Sequence, residues 1–458
     1  MITATTNNPF DLPELRHRLS RVVAVKDTLS CALVSKAWAE TFVPVVWFKV
    51  DLKVQPLFTV LSPRIIAKHG NHIRTAINVK TLPHVSALAN AGVNRLRYLH
   101  IEASSSALQH VRAYEIISRN CSSLKKLQIF VGSVPTNKQD AAAHYVNVHA
   151  LIPPSGAGVS RIDYLSIKHQ CLTHDGFVTI LQGCPALLEL KLNHTKVIGN
   201  PTISFQHTGI QTFGSTLKSL FQDPSAGPSL LSYFPSLKTL HVISKDATFS
   251  VLSARIKEDL SRYCPHLIGF RLEGSTGTIV PKFTSIADTA SKICFTYKHL
   301  SLETITAILL HQATLTTIEQ FHFDFEKDEV PTVSDHFQEA GRFLQLIPKS
   351  CSHLATFILP SHEMDMDEVE KGEWVCKDLK SLRIRIKGLD TEEKILKAIA
   401  MWRKGCWRRW QDRAGTPVGE EGRLDANDMS IEARVARHLL NFDKLWWVWL
   451  GYQTWMPI

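Results

Sequence analysis

Two clusters in this chain carry residue types able to hold a metal ion. His169, Cys171, His174 and Cys184 follow the order H-x-C-x2-H-x9-C, and Asp365-Met366-Asp367 sets two carboxylates two residues apart. Neither has the spacing its chemistry needs. The order of ligands in the first cluster matches no standard zinc spacing. A calcium loop needs a third oxygen ligand and a glycine at its sixth position, and the second cluster lacks both. The chain has no G-x-x-x-x-G-K-[ST], no G-x-S-x-G and no H-E-x-x-H, and its 21 histidines are scattered. The sequence therefore predicts no catalytic residue, no metal and no cofactor.

Five of the nine cysteines have another explanation. Cys121, Cys184, Cys264, Cys351 and Cys376 each precede by three residues an apolar residue that opens the pattern L-x-x-L-x-L. The segments are CSSLKKLQI (121–129), CPALLELKL (184–192), CPHLIGFRL (264–272), CSHLATFIL (351–359) and CKDLKSLRI (376–384). A cysteine fixed at one phase of a repeat is a small apolar packing residue, not a nucleophile. Five more segments fit without it: VNRLRYLHI (93–101), VSRIDYLSI (159–167), FPSLKTLHV (234–242), LTTIEQFHF (315–323) and FDKLWWVWL (442–450). Apolar residues hold the key positions and mostly polar ones lie between, the alternation of a half-buried strand.

The copies open at residues 96, 124, 162, 187, 237, 267, 318, 354, 379 and 445. The intervals Leu187 to Leu237, Leu267 to Ile318 and Leu379 to Leu445 are near double length and leave room for degenerate units. Helix-like stretches lie between strands at 106–120, 173–183, 252–263, 302–313, 334–347, 391–414 and 430–440, with Thr391 a plausible cap. Strand, loop, helix and turn in repetition describe a leucine-rich repeat, whose units bury their apolar faces only by stacking. The expected fold class is α/β: a leucine-rich-repeat solenoid, parallel sheet on the concave side and helices on the convex side, preceded by a small all-α module. The solenoid is expected over 53–458, with insertions near 153–158, 222–229, 361–373 and 415–429.

At 458 residues, 44% hydrophobic and 9% aromatic, the chain has ample material for a core. MITATTNNPF does not read as a secretory signal, and no apolar run approaches the length of a membrane span. The expected location is the cytoplasm or nucleus, with reduced thiols, and the sequons at Asn120 and Asn193 carry no meaning there. The net charge of +10 is concentrated between Arg383 and Arg413, including KGCWRRW (404–410), just after the acidic stretch from Glu363 to Glu373. Such a patch is either solvated helix surface or a docking site for an acidic partner or nucleic acid. No recognised nucleic-acid-binding motif accompanies it, so neither nucleic acid nor membrane is expected as a partner.

The first fifty residues differ from the rest. NPFDLPELRHRLSRVVAVKDTLSCALVSKAW (8–38) reads as two short helices. One runs over about 13–24 with Leu15, Leu19, Val22 and Val23 on a stripe. Asp27 is expected to cap the other, and a third segment follows through Phe42 to Trp47. Leu12-Pro13-Glu14, Lys26-Asp27, Leu29, Val34-Ser35-Lys36 and Trp38 make this stretch similar to the F-box family, in the fungal form joined to leucine-rich repeats. Trp47 and Val50-Asp51-Leu52 resemble that family's passage into the first repeat strand. The family usually has a residue between the positions of Pro13 and Glu14, and often a large apolar residue where Ser20 stands.

The resemblance implies an F-box at 8–52 that grips a Skp-type adaptor of a cullin–RING ubiquitin ligase, with Leu12, Pro13, Glu14, Leu15, Leu29, Val34 and Trp38 at the contact. It implies that the repeats hold a protein substrate. On a concave face the residues flanking the second and third key positions point outward. Among them Lys191, His241, Arg271, His322, Arg383, Trp447 and Trp449 are the candidate substrate contacts. Arg and Trp are the types favoured at binding hot spots, although Trp447 and Trp449 would equally serve as an end cap. The alternatives are a repeat scaffold with no ligase role and, resting on net charge alone, a nucleic-acid binder.

Overall fold

The computed structural model describes residues 12–53, 63–103, 107–131, 145–153, 159–199, 205–220, 229–244, 253–274, 291–295, 302–320, 343–414 and 428–450. His322, the start of the helix expected at 334–347 and most of the insertions near 153–158, 222–229 and 415–429 lie outside these residues. The chain divides into two compact units, Met1–Phe234 and Pro235–Ile458. The division falls among the repeated strands.

The first unit begins with helices Pro13–Val22, Val25–Ala32 and Lys36–Phe48. Its strands are β1 (Lys49–Asp51), β2 (Thr75–Val79), β3 (Tyr98–Ala103), β4 (Lys126–Val131), β5 (Tyr164–Lys168), β6 (Cys171–Thr173), β7 (Glu189–Asn193), β8 (Lys196–Ile198) and β9 (Thr212–Thr216). Seven of them pair in the order β1-β2-β3-β4-β5-β7-β9, and β6 pairs with β8. The second unit holds β10 (Thr239–Ser244), β11 (Gly269–Gly274), β12 (Lys292–Phe295), β13 (Thr317–Gln320), β14 (Thr356–Met364), β15 (Ser381–Ile386) and β16 (Trp447–Leu450), paired in chain order. Every pairing described within the two units is parallel. Parallel neighbours require a crossover, often a helix. Ala107–Asn120, His174–Gly183, Ser253–Tyr263 and Leu302–Leu309 occupy connections where the sequence pattern expects helices.

Register makes the core. Leu99, Leu127, Leu165, Leu190 and Phe213 stand opposite one another in succession, as do Ile101, Ile129, Ile167, Leu192 and Ser215. In the second unit the row is Leu240, Phe270, Ile293, Ile318, Phe357, Leu382 and Val448. All are buried, and full burial of such a side chain contributes roughly 1.5–3 kcal/mol. Entry into β3, β4, β5, β7, β9 and β11 to β16 repeats one hydrogen-bond device, in which a single carbonyl accepts two successive amides at the start of the next strand. The Arg97 carbonyl takes Lys125 and Lys126, that of Ala355 takes Lys380 and Ser381, and that of Lys380 takes Trp446 and Trp447.

All ten L-x-x-L-x-L segments contribute a strand, but one in a different phase. Ile318 was expected to open its copy; it pairs with Phe357 and so fills the second key position. Leu315 is then the first and Gln320 the third, both buried. The apolar pattern points three residues too far along because Phe321 and Phe323 are more apolar than Gln320. Strands β9 and β12 occupy two of the long intervals. They escape the pattern because Ser215 holds the third key position in β9 and alanine stands at 290, ahead of Ile293, in β12. The third long interval contains no strand among the described residues; helices Glu392–Arg413 and Ile431–Leu439 fill it instead. The segment 361–373, expected as an insertion, is ordered as the end of β14 and helix Met366–Glu370. In β2 the register jumps between Ala76 and Val79. Asn78 there takes a positive φ of 59° and donates to Asp51 Oδ1 at 2.7 Å; asparagine tolerates that backbone better than most residues.

Local signals succeed unevenly. Thr391 Oγ1 accepts the Lys394 amide as a helix cap. Asp27 is not a cap: the second helix starts at Val25 and Asp27 sits in its first turn, where a carboxylate still favours the helix dipole. The first helix ends at Val22, and the third begins at Lys36, with the Ser35 side chain accepting the Trp38 amide. Among the described residues no helix is long and apolar enough to cross a membrane.

The repeat cysteines close the turn from helix to strand. The Cys184 amide donates to the Ile180 carbonyl, and its own carbonyl accepts the amide of Leu187. Cys264 and Cys351 do the same with Leu260 and Leu267, and with Ile347 and Leu354. Cys121, Cys184, Cys264, Cys351 and Cys376 are all buried, and burial pushes their thiols up, to about 12 for Cys264, Cys351 and Cys376. A thiol raised in the folded state contributes stability fully present below its unfolded pKa and lost as pH rises toward the folded value. Between pH 9 and 12 each such thiol therefore makes the native state less stable. In urea titrations the stability of Cys351→Ala should fall less steeply with pH over that window than wild type, by close to one proton; equal slopes would mean that Cys351 ionises in the native protein.

Asn120 is a polar counterpart within the first unit. Fully buried, its Nδ2 donates to the Val93 and Ile116 carbonyls at 2.9 and 2.8 Å, and its Oδ1 accepts the Leu96 amide at 2.8 Å. Asn120→Ala strands three buried backbone groups, each costing about 1–3 kcal/mol when unpaired. The variant should lose about 3 kcal/mol or more in chemical denaturation, and a loss within about 0.5 kcal/mol of zero would remove this bracket from the account.

Candidate functional site

The first candidate surface is the N-terminal helical segment, where apolar side chains remain in water. Leu12, Val22, Leu29, Leu33 and Val34 are 50, 78, 58, 86 and 63% exposed. Pro13 and Glu14 are exposed too, whereas Leu15 and Trp38 are half-buried. Trp38 stacks on Phe42 with ring centroids 5.2 Å apart, and Phe42 is fully buried. Of the residues expected at an adaptor contact, Leu12, Pro13, Glu14, Leu29 and Val34 are thus exposed, while Leu15 and Trp38 also support the helices. Leu33 and Val22 were not singled out beforehand as contacts. Val22 is the last residue of the first helix and Leu33 the C-cap of the second. Ser20 faces inward beside Arg16, its hydroxyl donating to the His17 carbonyl at 2.8 Å. It takes nothing from the exposed apolar surface.

The second candidate surface is the strand face opposite the apolar rows. In the first unit it carries Tyr98, Lys126, Tyr164 and Glu189 in register, and beside them His100, Gln128, Ser166 and Lys191. These residues hold one another. Lys191 Nζ lies 2.7 Å from Glu189 Oε1 and 5.2 Å over the Tyr164 ring, whose hydroxyl accepts Gln128 Nε2 at 3.2 Å. In the second unit the row runs His241, Arg271, Cys294, Glu319, Ile358, Arg383 and Trp449. The five expected contacts described in the second unit, His241, Arg271, Arg383, Trp447 and Trp449, lie on this face in varied settings.

His241 is buried, its Nε2 3.0 Å from Glu273 Oε2, and is less available to a partner than expected. The Arg383 guanidinium lies 3.3 Å from the centroid of the Trp449 ring, and burial lowers it to about 10. Trp447 meets Trp449 edge to face at 5.9 Å, and both are half-buried, while Leu445, Val448 and Leu450 face the core. Glu319 was missed because the phase of its copy was misread, and Gln320, read as outward, is the buried residue. Cys294 sits in the same row, its thiol pushed up to about 11 by burial.

The residues weighed as metal ligands go to separate partners. His169 stacks on His194 at 4.9 Å, each with a positive φ at the end of its strand, and His174 Nε2 lies 2.6 Å from the Tyr233 hydroxyl. Cys171 is in β6 and Cys184 is in the core. The acidic stretch 363–373 is largely spent on the chain's own cations. Asp365 pairs with Lys387 at 3.3 Å, Asp367 and Glu370 pair with Arg434 at 2.5 and 2.7 Å, and Glu368 pairs with Lys371 at 2.5 Å. No protein-family model and no curated protein matches the chain.

Arginine stacked on a tryptophan face, partly desolvated, contributes roughly 0.5–2 kcal/mol. Trp449→Ala should destabilise the protein by at least that amount in urea, because ring burial is lost as well. A variant as stable as wild type would show that the Arg383–Trp449 stack is not held in solution.

Proposed function

We propose that this chain is the substrate-recognition subunit of an SCF-type cullin–RING ubiquitin ligase, acting in the cytoplasm or nucleus. In this reading residues 8–52 are an F-box that binds a Skp-type adaptor, and the strands that follow form a leucine-rich-repeat solenoid that binds a protein substrate. The chain supplies no chemistry. It acts by proximity, holding a substrate lysine near a ubiquitin conjugate carried by other subunits.

The observation that carries the reading is the apolar surface of the three N-terminal helices. Leu12 is half exposed and Leu29, Leu33 and Val34 more than half, in the same short stretch whose motifs resemble the F-box. Clusters of that kind on a soluble surface mark interaction sites. Helices of ten, eight and thirteen residues would be marginal alone; a partner covering them would offset that deficit. Substrate binding draws support from Lys191 with its fixed polar neighbours on the first unit's strand face, and from Arg271, Arg383, Trp447 and Trp449 on the second unit's.

Leu29 and Val34 are exposed, so Leu29→Ala with Val34→Ala should leave the fold intact. Two desolvated apolar contacts are worth roughly 2–4 kcal/mol at an interface, so adaptor co-purification should fall by at least about 30-fold. Recovery of the adaptor at wild-type level, with an unchanged melting temperature, would sink the adaptor assignment.

A further inference from the structure

Helix Glu392–Arg413 buries Ile395, Ala398, Ile399, Trp402 and Gly405. Gly405 meets Leu440, whose Cδ1 would lie 2.7 Å from any Cβ there. The other side of the helix does not simply turn polar. Trp407 and Trp410 are each 59% exposed and stack with ring centroids 4.9 Å apart at an interplanar angle of 24°. Arg403, Trp407 and Trp410 share a helix face at the i, i+4, i+7 spacing, with Lys404 and Arg408 one step round.

Cations elsewhere on the helix are spoken for. Lys394 pairs with Asp390, Lys397 with Glu432, and Arg409 and Arg413 with Asp443. Among the described residues Arg403, Lys404 and Arg408 make no ion pair, and Asp412 on the same helix approaches none of them. Arg403 and Lys404 are exposed and Arg408 half-buried, so unneutralised charge lies on the same stretch of helix as the exposed indoles.

We propose that this face docks an acidic segment of a partner protein, one that sets apolar or aromatic side chains among carboxylates. Charge complementarity selects an anionic occupant, and the two indoles, of a type enriched at binding hot spots, select one with apolar side chains. Arg403 to Arg408 spans only about 8 Å of helix at 1.5 Å per residue, which matches two or three carboxylates. Retention of nucleic acid rests on many more contacts, typically about 6–10 phosphates. An anionic membrane would call for a broader apolar strip than two rings flanked by arginines. The proposal is independent of the ligase assignment and concerns a different surface from both candidate sites above.

The test uses the full chain and fluorescence anisotropy with a fluorescein-labelled peptide of repeated Glu-Glu-Phe triplets. Polyuridylate RNA and phosphatidylserine-containing vesicles serve as competing probes. Wild type should bind the peptide, and binding should weaken at least about tenfold in Trp407→Ala with Trp410→Ala, and likewise in Arg403→Gln with Lys404→Gln and Arg408→Gln. A Lys-Lys-Phe peptide should not bind. The adaptor-surface variant Leu29→Ala, on an exposed side chain far along the chain from this helix, should bind as wild type does, so this result stands or falls apart from the adaptor assignment. No binding by wild type, equal binding by the patch variants, or tighter capture of RNA or vesicles through the same residues would overturn it.

Discussion

In-register parallel pairing is the constraint on which the rest of this structure depends. Side chains alternate along a strand with a period of two, so a slip of one residue would turn a whole apolar row toward water. Here Leu99, Leu127, Leu165, Leu190 and Phe213 in one unit, and Leu240, Phe270, Ile293, Ile318, Phe357, Leu382 and Val448 in the other, are held in line. The shared carbonyl at the entry of β3, β4, β5, β7, β9 and β11 to β16 sets the line before the strand begins, since one acceptor engages two successive amides. The strand length after that point varies from four residues in β13 to nine in β14 without disturbing the apolar row.

Strands brought into line in this way leave backbone groups at the helix-to-strand turns, and the structure satisfies them with small or polar side chains placed inside. Where a cysteine ends the helix, its backbone does the bonding and its side chain merely fills space. Asn120 adds three hydrogen bonds by its side chain, the Thr195 hydroxyl donates to the Ile167 carbonyl at 3.0 Å, and His207 Nε2 lies 3.1 Å from the Cys184 carbonyl. Buried polar atoms of this kind are tolerated because each has a partner.

The strand pattern was legible because it rests on local alternation that burial enforces. Its failures have physical causes. Ile318 was placed in the wrong phase because the next apolar pair, Phe321 and Phe323, completes the template better than buried Gln320 does. β9 and β12 were missed because burial within a ladder needs the right position more than the right residue type, and neighbours above and below can carry a serine. Asp27 was read as a cap from its residue type, but Ala24 takes the extended backbone that starts the helix. The candidate surfaces were less legible than the core. Which of Leu12, Leu15, Leu29 and Trp38 faces water depends on how three short helices lean on one another, and no periodicity encodes that. Similarly, His241 sits at an outward phase, yet Glu273 on the adjacent strand closes over it.

The two candidate surfaces differ in what they would lose on binding a partner. The strand face is pre-arranged: Lys191 is already fixed by Glu189 and Tyr164, and Arg383 by Trp449. Side chains so held give up little rotamer freedom when a partner arrives, a cost otherwise of about 0.5–1.5 kcal/mol for each. They also present their hydrogen-bond directions before contact, which favours discrimination over reach. The N-terminal helices have no such lateral pairing at Leu29, Leu33 or Val34; their gain on binding is the removal of apolar area from water, which is non-directional. A surface of the first kind suits selection among substrates, and one of the second suits constant attachment to a single adaptor. The division of labour proposed for this chain thus follows from how each set of side chains is already engaged before any partner binds.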